Sequence, residues 1–155
     1  MSEAEKALMA SGIRKPTVIV DWDGTCVPSA WPDRPTEWII GARSTMAALL
    51  ALGYDVKIHT VRTHSSTFDF SGPNPERDND LAYIRRMLDN AGLEEVGIVL
   101  EDKPPAVFYI DDRAIRFDPI RGGWGAVFSE LKKIHNAGEE TKGDITDVAQ
   151  VEEAK

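Results

Sequence analysis

A short β-branched run that ends on two acids constrains the fold of this chain more than any other feature. Residues 17–20 read TVIV, and Asp21, Asp23 and Gly24 follow directly. A run of this length that is apolar on both faces is typical of a central strand in a parallel sheet. Asp21 and Asp23 are two positions apart, so their carboxylates point to the same side while the chain stays extended. Gly24 then lets the backbone turn sharply.

Hydrophobic patterning divides the rest of the chain into alternating helices and strands. We predict three helices, each of which ends at or next to a glycine. This order predicts an α/β layer fold with a mainly parallel sheet. The predicted elements are a strand at 17–20, a helix at 36–52, a strand at 54–60, a helix at 80–91, strands at 96–100 and 106–110, and a helix at 122–138.

Length and composition predict one domain followed by a charged tail. The chain has 155 residues, of which 42% are hydrophobic, so we expect a single domain over residues 1–138 with a sizeable core. Residues 139–155 hold six acids and two lysines, and we expect this tail to be mobile. The net charge of -8 argues against broad, nonspecific binding of nucleic acid, although a local basic groove stays compatible with it.

The chain carries no predicted membrane span or secretory signal. It contains no run of about 18 apolar residues, and its first residues lack a continuous apolar segment. Cys26 is the single cysteine, which excludes an internal disulfide and fits a reducing, cytoplasmic location. We expect Cys26 to be a small buried residue.

Polar residues follow three of the predicted strands at the same structural position. These residues are Asp21, Thr60 and Asp111, and Asp112 adds a further acid. The carboxyl ends of parallel strands form one edge of the sheet, where ligands bind, so we expect these side chains to converge. Carboxylates that share a pocket repel unless a cation or a proton relieves them, and Mg²⁺ suits such oxygen ligands. Thr60 and Lys103 are then placed to contact an anionic substrate.

These residues resemble the four signature motifs of the haloacid dehalogenase (HAD) superfamily of phosphotransferases. The resemblance covers about residues 17–118, and it implies the HAD-like fold, a Rossmann-like three-layer sandwich. DWDGT at 21–25 resembles the first motif, Thr60 after VKIH the second, Lys103 in EDKPP the third, and Asp111 with Asp112 in FYIDD the fourth.

The resemblance also implies a catalytic mechanism. Asp21 would attack phosphorus and form an aspartyl-phosphate. Asp23 would protonate the leaving oxygen and then take a proton from the water that hydrolyses the intermediate. Thr60 and Lys103 would hold the transferring phosphoryl oxygens.

Four aspartates are implied as the Mg²⁺ site. The ligands would be the Asp21 carboxylate, the backbone carbonyl of Asp23 and Asp111. Asp112 would bind the ion beside Asp111 or through water. The resemblance leaves open whether Asp111 or Asp112 binds the ion directly.

Several residues beside the motifs have two readings. Arg62, His64 and Ser65 follow the second motif, where they either touch substrate or form a solvated loop, and Arg62 is the strongest candidate for substrate binding. Arg113 and Arg116 follow the fourth motif. They either contact phosphate or form salt bridges. Trp22 is bulkier than the residue expected between the two acids, and we predict that it points away from the pocket into apolar packing.

The chain has no room for a separate cap domain. Family members carry caps after the first motif or after the third strand, but here both intervals are short loops. An uncovered site admits a bulky phosphorylated substrate, such as a nucleic-acid end or a phosphoprotein. The alternative is closure of the site by a partner subunit in a homo-oligomer.

The sequence therefore predicts a Mg²⁺-dependent phosphomonoester hydrolase. One alternative is a nucleotidase or a polynucleotide 3'-phosphatase, and another is a HAD-like binding scaffold that has lost catalysis. A signalling receiver domain also places Asp, Thr and Lys around Mg²⁺, but it leaves the DxDGT pattern unexplained. Retention of both Asp21 and Asp23 argues against the scaffold.

Overall fold

The chain divides into two compact units. A computed structural model describes residues 15–67 and 69–138. The first unit is Met1–Asp112 and the second is Arg113–Lys155. The N-terminal segment before residue 15 and the predicted acidic tail at 139–155 lie outside the described residues. The prediction of one domain over residues 1–138 stays a prediction.

The described residues form four strands and three α-helices, in the order that the sequence predicts. Within the described ranges, no helix is long and apolar enough to cross a membrane. The elements are β1 (Thr17–Val20), α1 (Ala42–Ala51), β2 (Asp55–His59), a 3₁₀ turn (Val61–Thr63), α2 (Arg77–Asn90), β3 (Gly97–Val99), β4 (Phe108–Ile110) and α3 (Gly123–Gly138).

The four strands form one parallel sheet with β1 in its interior. Their order is β3-β2-β1-β4, so β1 lies between β2 and β4. Val20 pairs with Ile58 on one side and with Ile110 on the other. The prediction of an α/β fold with a parallel sheet is therefore confirmed. This register also brings the carboxyl ends of β1, β2 and β4 to the same edge.

One face of the sheet carries the hydrophobic core of the first unit. Val18 and Val20 alternate with Ile19, which faces the other way, and they align with Val56 and Ile58 of β2. Burial of such branched side chains is the main favourable term in folding. The core is completed from the helices by Met46 of α1 and by Tyr83, Ile84, Met87 and Leu88 of α2.

Trp22 belongs to this core, as the sequence predicts. Its side chain is fully buried. Its ring meets Trp38 edge-on at 5.4 Å and Tyr83 at 5.9 Å between ring centroids. Edge-to-face pairs of this kind stabilise the fold beyond the effect of burying apolar area. The bulky residue between the two acids therefore packs into the core.

The helix predicted from Thr36 begins instead at Ala42. The intervening residues run as an irregular segment, in which the Ile39 N–H donates to the Cys26 carbonyl at 2.8 Å. Gly41 has φ 90°, a left-handed conformation that precedes the first helical turn. Tertiary hydrogen bonding thus overrides the helical pattern of apolar residues before Gly41. The other helices agree more closely, and α2 begins at Arg77, three residues before the predicted start.

We predict that two isoleucines differ sharply in their contribution to stability. Ile84 is fully buried in the core, whereas Ile40 is fully exposed. Ile84→Ala removes packed atoms and leaves a cavity, so it should lower the free energy of unfolding by about 2–5 kcal/mol. Ile40→Ala should change it by less than about 0.5 kcal/mol. Urea denaturation measures both, and equal losses would contradict the assigned core.

Candidate functional site

We use the name acidic edge for Asp21, Asp111 and Asp112, which follow the carboxyl ends of β1 and β4. Asp21 is the most buried of the three. It follows β1 directly, and its backbone N–H donates to the Ile110 carbonyl at 2.8 Å, which fastens it to β4. Because β4 ends there, Asp111 and Asp112 come beside Asp21. One carboxylate oxygen from each of the three lies within 4.8 Å of the others. The structure therefore brings together three of the residues that the sequence predicts as metal ligands.

A tight turn after Asp21 brings the Asp112 carboxylate close to the backbone. Gly24 has φ 79°, and a Cβ atom at this position would lie 2.3 Å from Asp112 Oδ2. Only glycine fits such a position without displacement of its neighbour. The hydroxyl of Thr25 accepts the Asp112 N–H at 3.1 Å and reaches Asp21 Oδ2 at 3.4 Å. Thr25 therefore links both acids, a role that the sequence analysis did not assign although Thr25 is part of the DWDGT motif.

The acidic edge holds closely spaced negative charge. Burial, and after it the nearby charges of Asp111 and Asp112, together raise the pKa of Asp21 to about 6. A backbone hydrogen bond at Trp22 acts in the opposite direction. Asp111 and Asp112 are exposed, so this edge of the sheet is open to solvent.

The donor set fits a hard divalent cation. The three carboxylates offer only oxygen ligands, and their spacing is close to what a single ion requires. A cation between them would remove the repulsion that raises the Asp21 pKa. The Asp23 carboxylate lies outside this cluster. The predicted contribution of Asp23 is its backbone carbonyl, which leaves its carboxylate for another role.

The Asp23 carboxylate forms a two-point ion pair with Arg62. Arg62 Nε donates to Asp23 Oδ2 and Nη2 donates to Oδ1, each at 2.7 Å. The side chain of Arg62 has no solvent exposure, and that of Asp23 is 15% exposed. Bidentate pairs of this kind fix the orientation of a carboxylate as well as its position. Arg62 is thus part of the protein interior, unlike the solvated loop residue that was one reading of the sequence.

The same guanidinium has two further partners. Nη1 donates to Asp80 Oδ1 at 3.2 Å, and Nη2 donates to the Asp33 carbonyl at 2.6 Å. Asp80 is almost fully buried in the first turn of α2. Arg34 donates from Nε to the same Asp80 oxygen at 2.8 Å. Asp80 and Arg34 were not predicted from the sequence, since single charged residues in a loop and at a helix start carry no signal for a mutual pairing.

Thr60 and Lys103 occupy different surroundings. Thr60 follows β2, is 6% exposed, and its hydroxyl accepts the Arg62 backbone N–H at 3.3 Å. Lys103 is exposed, and its Nζ lies 3.9 Å from the centroid of the Tyr109 ring. This geometry is a cation–π contact. The strand order places Thr60 beside Asp21, while Lys103 comes from the irregular segment between β3 and β4.

Hydrogen bonds join the loop after Thr60 to Glu101, in the segment that precedes Lys103. Ser65 Oγ donates to Glu101 Oε2 at 3.0 Å, and Arg77 donates to Glu101 Oε1 at 2.8 Å. His64 Nε2 lies 3.5 Å from Glu101 Oε2, and its Nδ1 accepts the Ser66 N–H. His64 and Ser65, which the sequence left as substrate contacts or solvated residues, therefore have partners on the protein surface.

Cys26 lies behind the acidic edge and is buried, as predicted. Its sulfur contacts the Asp21 carbonyl at 3.3 Å. Burial raises the pKa of the Cys26 thiol to about 12, and the Asp21 charge acts in the same direction. A thiol of this kind stays protonated at neutral pH and is a poor nucleophile.

Comparison with family models, curated proteins and solved structures found no match to this chain.

We predict that Gly24→Ala weakens Mg²⁺ binding because the new Cβ would displace the Asp112 carboxylate. Gly41→Ala is the matched control, since Gly41 also has a left-handed φ but a Cβ there meets nothing within 4 Å. Both variants should lose about 1 kcal/mol or more of stability from backbone strain. Only Gly24→Ala should weaken Mg²⁺ affinity, by about 10-fold or more, in calorimetric titration. Equal affinities in the two variants would contradict the assigned geometry.

We predict that Asp21→Asn stabilises the metal-free protein, and increasingly so as pH rises from about 4 to about 6. The pKa of Asp21 is raised from 3.8 to about 6, so in this range the folded state binds more protons than the unfolded state. Stability of the wild type therefore falls across that interval. Allowing for solvent screening at this partly exposed site, the gain from the substitution at pH 7 should be about 1–2 kcal/mol.

The measurement is urea denaturation in the presence of EDTA at several pH values. Asp102→Asn, in an exposed loop, is the control for loss of one negative charge. Stability curves of wild type and Asp21→Asn that run parallel between pH 4 and pH 7 would show that Asp21 is not under electrostatic strain.

Proposed function

We propose that this chain is a Mg²⁺-dependent phosphomonoester hydrolase with the HAD-like three-layer fold, which works through an aspartyl-phosphate on Asp21. The observation that carries the proposal is the convergence of Asp21, Asp111 and Asp112 within 4.8 Å at the carboxyl edge of a parallel sheet. The strand order supports it, because the strand that leads to Asp21 lies between those that lead to Thr60 and Asp111.

Asp21 is suited to act as the nucleophile. Its pKa of about 6 leaves the carboxylate ionised at neutral pH, and its partial exposure allows a phosphoryl group to reach it. Attack forms a bond from a carboxylate oxygen to phosphorus and breaks the bond from phosphorus to the ester oxygen. Water then attacks the same phosphorus, and the Asp21 carboxylate and inorganic phosphate are released.

Asp23 is the candidate for the two proton transfers. In the first step it would give a proton to the departing ester oxygen, and in the second it would take one from the attacking water. Its side chain remains 15% exposed beside the acidic edge, and Arg62 holds it in one orientation. The two steps use the same group in opposite directions, so the proton balance closes over one turnover.

The remaining residues would neutralise and orient the phosphoryl group. Mg²⁺, when bound by Asp21, Asp111 and Asp112, supplies positive charge that lets an anionic phosphoryl group approach the carboxylates. The Thr60 hydroxyl accepts a hydrogen bond from the Arg62 backbone, which leaves its own proton to donate to a phosphoryl oxygen. Lys103 would contribute only after its exposed side chain leaves the Tyr109 ring.

The open acidic edge supports a bulky substrate. Asp111 and Asp112 are exposed, and residues 21–41, all of which the structure describes, contain no helix or strand that covers them. Such an open surface would suit a nucleic-acid end or a phosphoprotein better than a small metabolite, since small molecules bind in enclosed pockets. A polynucleotide 3'-phosphatase or a nucleotidase is the specific form of this alternative. Closure by a second copy of the chain would instead favour small substrates.

We predict Mg²⁺-dependent release of inorganic phosphate that Asp21→Asn abolishes. Loss of the nucleophile should lower kcat by about 10³-fold or more, and Asp23→Asn should lower it by about 10²–10⁴-fold. The assay is a panel of sugar phosphates, nucleotides, 3'-phosphorylated oligonucleotides and phosphopeptides, run with Mg²⁺ and with EDTA. Glu95→Gln, exposed and next to the amino end of β3, serves as the control for an acid away from the site and should retain the wild-type rate.

Each outcome of this panel has a distinct meaning. Release that persists in Asp21→Asn would remove Asp21 as the nucleophile. Release that is unaffected by EDTA would exclude the cation. If none of the substrates releases phosphate, the chain is better described as a binding scaffold.

A further inference from the structure

Arg62 carries a full positive charge with no exposure of its side chain. Such a charge is tolerated only where hydrogen bonds and opposite charges surround it. Its three nitrogens make four hydrogen bonds, two to Asp23, one to Asp80 and one to the Asp33 carbonyl. Since a guanidinium has five N–H donors, these bonds use most of its capacity.

This arrangement bears directly on what Arg62 can do. A side chain that binds phosphate needs donors that face the substrate, but the donors of Arg62 face Asp23 and the interior. We propose that Arg62 is a positioning residue, which fixes the Asp23 carboxylate for proton transfer and does not bind the substrate phosphate. The inference rests on the proposed function, and it replaces the substrate-binding role that the sequence suggests for Arg62.

A second ion pair, with Asp80, holds the Arg62 guanidinium in place. Asp80 receives Arg62 Nη1 at 3.2 Å and Arg34 Nε at 2.8 Å on the same oxygen. Arg34 also donates to Glu76 at 2.7 Å, near the protein surface. Charges therefore alternate in sign from Asp23 to Glu76, and the chain of ion pairs joins the end of β1 to the start of α2. Rigid support of this kind is what holds a catalytic group within the narrow geometry of proton transfer.

A shared donor adds to the restraint on Asp23. Arg62 Nη2 bonds to both Asp23 Oδ1 and the Asp33 carbonyl, at 2.7 and 2.6 Å. The bond from Nε to Asp23 Oδ2 fixes the second carboxylate oxygen. Because both oxygens bond to one anchored guanidinium, the Asp23 carboxylate cannot rotate without breaking a hydrogen bond.

The test compares two esters that differ in their need for an acid. An alkoxide leaving group needs a proton in the transition state, whereas p-nitrophenolate departs without one. We expect Arg62→Lys to lower kcat/KM for an alkyl phosphate by about 10²-fold, and for p-nitrophenyl phosphate by less than about 10-fold. Because Arg62 does not touch phosphate, KM should stay within about 3-fold for both esters.

Two further measurements separate positioning from a general structural effect. Arg62→Ala should regain alkyl phosphatase activity when free guanidinium is added, since the small cation can occupy the vacated space. The double variant Arg62→Lys/Asp23→Asn should be no slower than Asp23→Asn alone, because both changes remove the same proton transfer. Arg85→Lys is the matched control, because Arg85 pairs with Asp89 and with backbone carbonyls away from the site.

The outcomes distinguish this inference from the proposed function. A wild type that hydrolyses neither ester overturns the proposed function, and the inference with it. An active wild type whose Arg62→Lys variant loses both esters equally, with a raised KM, overturns the inference alone and restores a phosphate-binding role. If Arg62→Ala does not fold, Arg62→Lys, with a native circular dichroism spectrum, decides the question.

Discussion

The buried ion pair between Arg62 and Asp23 is the interaction on which the site depends. A guanidinium without solvent exposure would be strongly destabilising if any of its partners were missing, so its position requires Asp23, Asp80 and the Asp33 carbonyl together. These partners come from the turn after β1, from the irregular segment between β1 and α1, and from the first turn of α2. One charge thereby fixes the relative placement of three segments that differ widely in sequence position.

The acidic edge, in contrast, brings charges of the same sign together. Asp21, Asp111 and Asp112 repel one another, and the protein contains this repulsion by holding Asp21 to β4 and Asp112 to the turn through Thr25. Burial and this repulsion both raise the pKa of Asp21. A site of this kind favours any ligand that brings positive charge, and a polar edge under strain on a well-packed core is typical of functional sites.

The parts of the structure that local patterning governs were predictable from the sequence. The β-branched run of β1, its position in a parallel sheet, the burial of Trp22 and the convergence of Asp21 with Asp111 follow from strand periodicity and topology. The start of α1 was not predictable, because a hydrogen bond between Ile39 and Cys26 competes with helical propensity. The partners of Arg62 were not predictable from the sequence either, since ion pairs between distant residues depend on the folded backbone and leave no local pattern.

The proposed mechanism requires that Asp21 carries the phosphoryl group during turnover. The most direct measurement is to quench the protein with acid during hydrolysis of its best substrate, reduce it with borohydride and map the products by peptide mass spectrometry. Reduction converts an aspartyl-phosphate to homoserine, so we expect homoserine at position 21 in the presence of Mg²⁺ and none when EDTA is added. Homoserine at another aspartate, or active turnover with none at position 21, would contradict it.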